Sequence, residues 1–124
     1  AIISYKNSIQ NIIGGMCETD FSGYPDCRND TIISMQESLS LGMDEKFIIK
    51  TPLMFKSKDE IWDLIYKAGG KGLIDVILEE SHTCYKGDRS KRYPWGYGCK
   101  SCPACELRIK GWDSFVKNNP EMKI

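Results

Sequence analysis

An α/β fold with parallel strand pairing, joined to a C-terminal lobe built on four cysteines, is what this sequence predicts, and three observations carry the prediction. Short apolar, isoleucine-bearing runs, Ser8 to Met16 and Lys46 to Lys50, alternate with helical patterns, the signature of parallel strands joined by helical crossovers. A polar, turn-rich stretch from Cys17 to Asn29 follows the first run, at the carboxyl end of a strand, where open α/β sheets hold their ligands. Cys84 is followed by Cys99, Cys102 and Cys105 in the run Gly98-Cys99-Lys100-Ser101-Cys102-Pro103-Ala104-Cys105. Two successive two-residue gaps fit tetrahedral thiolate coordination of Zn²⁺, because each turns a pair of sulfurs toward one ion.

Taken in order, Ala1 to Lys6 reads as the end of a helix and Ser8 to Met16 as a buried strand running into a turn at Gly14-Gly15. The polar loop that follows carries Glu18, Thr19, Asp20, Tyr24, Asp26 and Arg28 among Gly23 and Pro25. Thr31 or Asp30 caps the next helix, whose apolar positions Ile32, Ile33, Met35, Leu39 and Leu41 recur at helical spacing up to Gly42. The second strand runs into Thr51-Pro52-Leu53-Met54. Ser57-Lys58-Asp59-Glu60 is a capping box, the serine hydroxyl and the glutamate carboxylate each taking an amide of the other residue. The helix it starts sends Ile61, Trp62, Leu64 and Ile65 to the core and stops at Ala68-Gly69-Gly70. A shorter helix from Leu73 to about Glu80 leads to Cys84, a loop spans Tyr85 to Gly98, and a last helix runs from about Ala104 to Lys117.

The four thiols complete a closed Cys₄ set, which makes the expected zinc structural; Gly98, Ser101 and Ala104 are small enough for the backbone to turn closely around it. Disulfide pairing is the alternative, disfavoured because adjacent two-residue-gap pairs form strained, reducible bridges. His82, two residues before Cys84, is an alternative fourth ligand, though local packing is the plainer role. Cys17 and Cys27 bracket the polar loop; with no further histidine to activate them they read as small packing residues rather than nucleophiles. Seventeen basic and seventeen acidic side chains cancel, so no overall field draws the chain to nucleic acid or an anionic membrane. No stretch approaches the roughly 20 apolar residues of a membrane span, and no signal peptide is visible, so the expected compartment is the cytoplasm. The chain is expected to be one domain, 1–124, with a zinc lobe over 81–117. Because two strands do not make a sheet able to cover these helices, it reads as the C-terminal part of a larger fold.

Gly15-Met16-Cys17-Glu18-Thr19-Asp20-Phe21-Ser22-Gly23-Tyr24-Pro25-Asp26-Cys27-Arg28, the Thr51-to-Met54 turn, and His82-Thr83-Cys84-Tyr85 followed by Gly98 to Arg108 closely resemble the 7-cyano-7-deazaguanine synthases of queuosine biosynthesis. The resemblance covers nearly the whole chain, with three separated motifs in the right order. It implies a truncated adenine-nucleotide α-hydrolase-like, Rossmann-like sheet with a C-terminal zinc lobe. It also implies an ATP-dependent ligase that turns 7-carboxy-7-deazaguanine and ammonia into the nitrile, in a homo-oligomer that makes no direct contact with nucleic acid or membrane. One departure is plain. The family's phosphate-binding pattern Ser-Gly-Gly-x-Asp-Ser is absent, since the only glycine pairs are Gly14-Gly15 and Gly69-Gly70.

For such a substrate, Asp20 and Asp26 are suited to accept hydrogen bonds from a guanine-like edge, and Tyr24 to stack on the ring. Arg28 or Lys58 can hold its carboxylate or a phosphate, and Glu18 completes the set at the start of the loop. The competing reading is a zinc-ribbon binding module that uses the cations and aromatics of Tyr85 to Tyr97 to hold nucleic acid or protein.

Overall fold

The computed structural model describes residues 1–18 and 24–122. They form two compact units, Ala1–Lys56 and Ser57–Ile124. In the first, a short helix α1 (Ile2–Lys6) precedes strand β1 (Asn11–Ile13), helix α2 (Asn29–Met43) and strand β2 (Ile48–Lys50). β1 and β2 pair in parallel, Asn11 opposite Ile48 and Ile13 opposite Lys50, as the strand–helix–strand alternation requires. Each strand is only three residues long, and β1 is not buried: Ile13 is 73% exposed. Among the described residues β1 pairs with β2 alone, so the buried strand expected within Ser8 to Met16, ahead of its Gly14-Gly15 turn, is corrected to a short, open one.

Helix α2 departs from its expected caps. Neither Asp30 nor Thr31 is the N-cap; the helix begins at Asn29 after an extended Arg28. The Asn29 amide donates instead to the Glu18 carboxylate at 2.9 Å, so the acceptor comes from eleven residues upstream. Gly42 lies inside the helix, and Asp44 provides the left-handed turn that ends it (φ 48°), a conformation that Asp tolerates better than most residues. Ile32 and Leu39 are half-buried, whereas Ile33, Met35 and Leu41 are exposed. The helix meets β2 through polar groups: Gln36 Oε1 accepts from the Ile49 amide at 2.7 Å and Ser40 Oγ from the Phe47 amide at 3.2 Å. Side chains thus occupy the Ile49 amide of β2 and the Phe47 amide just before it, which would otherwise be free to pair with another strand.

The second unit is built on helix α3 (Lys58–Glu80), a hairpin of β3 (Arg92–Tyr93) and β4 (Gly96–Tyr97), and helix α4 (Pro103–Asn118). The capping box forms, with the Ser57 amide donating to the Glu60 carboxylate at 2.7 Å. α3 is broken at the expected point, Gly69 and Gly70 having non-helical backbone. Trp62, Ile74 and Leu78 enter the core with Ile65, Tyr66 and Ile77 packed around them. Leu64 does not; it is 42% exposed, because it falls off the stripe set by 62, 65 and 66. The expected loop from Tyr85 to Gly98 contains the antiparallel β3–β4 pair, Tyr93 opposite Gly96.

α3 and α4 touch at Gly111, where an added Cβ would lie 2.3 Å from Lys58 Cβ and 3.1 Å from its backbone carbon. Ser114 Oγ donates to Asp59 and Asn119 Nδ2 to Asp63, at 3.4 and 3.0 Å. The Asp59 carboxyl, accepting chiefly from the Ser57 hydroxyl and also from Ser114, is held below the usual range. Gly111→Ala is expected to force the helices apart and cost about 1–3 kcal/mol, the usual penalty of overpacking. Urea unfolding that leaves the midpoint unmoved would refute this contact.

Candidate functional site

The four cysteines are brought to one place. Their sulfurs all lie within 4.8 Å of one another, and sulfurs 2.3 Å from a central ion sit about 3.8 Å apart in a tetrahedron. All six cysteines of the chain are free, so no bridge competes for these thiols. The donor set therefore fits a divalent ion with thiolate preference. Cys84 follows α3, Cys99 follows β4, Cys102 is the N-cap of α4 and Cys105 lies in its first turn. Pro103, at the first helical position, fixes the φ that starts α4, and the positive end of the helix faces the sulfurs. His82 is not part of the cluster; its Nε2 pairs with the Asp88 carbonyl at 3.0 Å.

The backbone is shaped around the sulfurs. Lys100, and not a glycine, takes the left-handed position of the Cys99–Cys102 turn (φ 63°), which turns successive amides inward. Hydrogen bonds from the Ser101 hydroxyl, at 3.5 Å, and from its amide pull the Cys99 thiol down to about 6. Burial raises the Cys84 thiol, but the amides of Asp88, Cys99 and Lys86 outweigh it and bring it below its ordinary value. Burial dominates at Cys105, which is pushed up to about 12. An ion binding here must therefore displace a proton held by Cys105 at neutral pH.

Gly98 is needed for space. A Cβ there would stand 2.6 Å from Cys105 Sγ and 2.9 Å from the Trp95 ring, and both residues are buried. Gly98→Ala is expected to displace the Cys105 sulfur and reduce metal content well below one ion per chain. Full metal content in that variant would show that the turn can relax.

The Tyr85–Tyr97 segment uses its cations internally. The Arg89 guanidinium lies 4.4 Å over the Tyr97 ring and donates to the Glu79 carbonyl at 2.7 Å; Arg92 pairs with the Glu79 carboxylate at 3.2 Å. Lys100 lies 4.2 Å over Tyr93, which stacks on Trp95 at 5.1 Å.

In the first unit, the polar loop begins where the exits of the two strands are joined. The Glu18 amide donates to the Met54 carbonyl and Cys17 Sγ to the Lys56 carbonyl, each at 2.9 Å. Cys17 is buried, and burial, with Asp26 nearby, raises the Cys27 thiol. Asp20 lies outside the described residues. Tyr24 and Asp26 are exposed beside the 3₁₀ turn Pro25–Cys27, and Arg28 is exposed just before α2. The Glu18 carboxylate accepts from the α2 amide as given above, a role no local spacing could reveal. Lys58 belongs to the second unit, at the start of α3.

Buried Arg108 was not singled out from sequence. Its Nε donates to the Trp95 carbonyl at 2.8 Å and its Nη2 to the Ile77 carbonyl at 3.3 Å. Burial lowers its pKa and the Cys105 thiolate opposes that. The one available signal is its position three residues after Cys105, on the same face of a helix.

The family model for queuosine biosynthesis protein QueC matches residues 1–116. The chain is 54% identical over 115 residues to a 7-cyano-7-deazaguanine synthase of Azorhizobium caulinodans, covering 93% of this chain and 48% of that protein. It is 55% identical over 116 residues to one of Nitrobacter hamburgensis (94% and 49%) and 51% identical over 121 residues to one of a Bradyrhizobium species (98% and 51%). The chain thus spans about half the length of the curated relatives it matches. With a family match across nearly all its residues, and with the four cysteine sulfurs gathered at one place, the chain belongs to the QueC family of queuosine biosynthesis.

Proposed function

We propose that this chain supplies the substrate loop and the metal lobe of a cytoplasmic, ATP-dependent 7-cyano-7-deazaguanine synthase of adenine-nucleotide α-hydrolase-like fold. The observation that carries the reading is the identity above 50% to synthases over more than nine-tenths of the chain. A carboxylate is a poor electrophile. Its oxygen therefore attacks the α-phosphate of ATP and pyrophosphate leaves, ammonia displaces AMP from the acyl adenylate to give the amide, and the amide oxygen, adenylated in turn by a second ATP with loss of pyrophosphate, departs with AMP as the nitrogen loses its protons and the nitrile forms. In this scheme Asp20 and Asp26 accept from the ring N–H and exocyclic amine, Tyr24 stacks on the heterocycle, and Arg28 or Lys58 holds the carboxylate or a phosphate. Glu18 borders that set and, through Asn29, holds the loop's far end to its near end.

Zn²⁺ at Cys84, Cys99, Cys102 and Cys105 leaves no open position and serves structure alone. The competing binding-module reading loses support from the internal pairing of Arg89, Arg92 and Lys100.

The test is calorimetry with 7-carboxy-7-deazaguanine, in a polypeptide spanning the relatives' full length. Asp20→Asn and Arg28→Ala are each expected to weaken binding by about 1–3 kcal/mol, the cost of unpairing a buried polar group. Unchanged dissociation constants would sink the loop assignment. In an ATP-dependent assay the 124-residue polypeptide alone is expected to form no nitrile, because the Ser-Gly-Gly-x-Asp-Ser pattern that would cradle the phosphates is not in it. Turnover by the short polypeptide would relocate the nucleotide site.

A further inference from the structure

Four thiolates around a divalent ion leave a net charge of about −2. Cys84, Cys102 and Cys105 are all buried, Cys105 completely. Negative charge in that position is costly unless donors or a cation meet it. The amides and the Ser101 hydroxyl spread the charge but add no positive charge of their own, and the Lys86 ammonium reaches the cluster only through Ser101 Oγ, to which it donates at 3.1 Å on the exposed side.

Arg108 is the one buried ionisable group other than the thiols among the described residues. No carboxylate among those residues reaches it; the ion pairs found there are Arg89 and Arg92 with Glu79. Its contacts are the Trp95 and Ile77 carbonyls and the Trp62 ring, 5.3 Å away. Carbonyls orient a guanidinium without neutralising it, so a buried arginine with no acid beside it wants an anion. Cys105 lies one turn earlier on α4, on the same face. The β4 stretch backs both groups: the Cβ position of Gly96 is 3.0 Å from Arg108 Nη2, and that of Gly98 is 2.6 Å from Cys105 Sγ.

We infer that Arg108 is the countercharge of the four-thiolate centre, a positioning residue held by two carbonyls so that its cation meets the charge of the loaded site. The inference rests on the reading of the cluster as a divalent-metal site. Two variants separate charge from hydrogen bonding. Arg108→Lys keeps the charge and loses the planar fork; Arg108→Gln keeps a donor and loses the charge.

Zinc affinity of the whole chain is measured by competition with a chelator, and the thiolate-to-metal absorption of the Co²⁺ form reports whether all four sulfurs still bind. Arg108→Gln is expected to bind zinc about 10–100-fold more weakly, the usual effect of losing an outer partner of a metal site. Arg108→Lys, which loses the fork but keeps the charge, should lose clearly less affinity than Arg108→Gln, with the cobalt band kept in both. Unchanged affinity in Arg108→Gln, or an equal loss in both variants, overturns the inference. If Arg108→Gln does not fold even with excess zinc, Arg108→Lys decides: folding with near-normal affinity supports the countercharge, and failure like that of the glutamine variant overturns it. A wild-type chain that takes up no zinc overturns the metal reading and this inference together, whereas zinc-loaded wild type with indifferent Arg108 variants overturns only this one.

Discussion

Stripping zinc with excess chelator is expected to unfold the Ser57–Ile124 unit, with loss of near-ultraviolet circular dichroism, because the metal centre and the core of this unit share residues. Cys84, Cys102 and Cys105 belong to the same buried cluster as Trp62, Ile74, Leu78, Trp95, Trp112 and Phe115. All three tryptophans of the chain therefore report on the event. Structural zinc sites contribute about 10–16 kcal/mol of apparent binding energy, which matches or exceeds the roughly 5–15 kcal/mol net stability of a whole domain. Loss of an ion held at that strength is therefore enough to unfold this unit. Cys102→Ser should lose both the ion and the signal. Uptake should also release protons from the cluster's thiols, Cys105 among them, so affinity falls as the pH is lowered. A Cys102→Ser variant with full zinc content, or a chelated chain with its tryptophan signal intact, would show that the cluster is not a structural metal site.

With the metal kept in place, Phe115→Ala is expected to cost about 3–5 kcal/mol. Phe115 is fully buried and sits at the centre of an aromatic group: Trp112 at 5.6 Å, Tyr66 at 6.0 Å and Trp62 at 6.3 Å between ring centroids. Removing the ring takes away a shared wall of three others, and rings in T-shaped and tilted contact cannot all close on one cavity. Leu64→Ala is the control. Its side chain is on the solvent side of α3, so it should change stability by no more than about 0.5 kcal/mol. Urea unfolding followed by tryptophan fluorescence, with zinc in excess, measures both. Similar midpoints for the two variants would mean that the aromatic group is not the centre of this core.

The parts legible in the sequence are those whose cause is local. Cysteine spacing dictates that two sulfurs of one turn face one ion, Ser57 and Glu60 satisfy each other's amides, and Gly69-Gly70 halts a helix, so all three were readable from a few neighbouring residues. What was missed depends on distant partners. The start of α2 is set by a carboxylate eleven residues back, so no inspection of Asp30 or Thr31 could find it. The β3–β4 pair is two residues per strand, too short for any alternation to show; only the Tyr93-Pro94-Trp95-Gly96 turn chemistry hints at it. Arg108 looks like any charged helix residue until the carbonyls of Trp95 and Ile77 arrive from elsewhere in the chain.

The break in α3 has a consequence for how the helix faces its core. Trp62, Ile65 and Tyr66 in its first segment recur as Ile74, Ile77 and Leu78 in the second, each displaced by twelve residues. At 3.6 residues per turn, twelve residues leave a continuous helix about 120° out of phase, so the second trio would point away from the first. Gly70, at φ 58° and ψ −156°, occupies backbone space essentially reserved for glycine, and with Gly69, at φ −152° and ψ 17°, it breaks the helical phase between the two trios. The two glycines thus act as a phase corrector: one sequence stripe, interrupted, is read by the core as a single face. The length of the chain between the two trios is then as fixed as their chemistry, since adding or deleting one residue there would rotate the second trio by about 100° relative to the first.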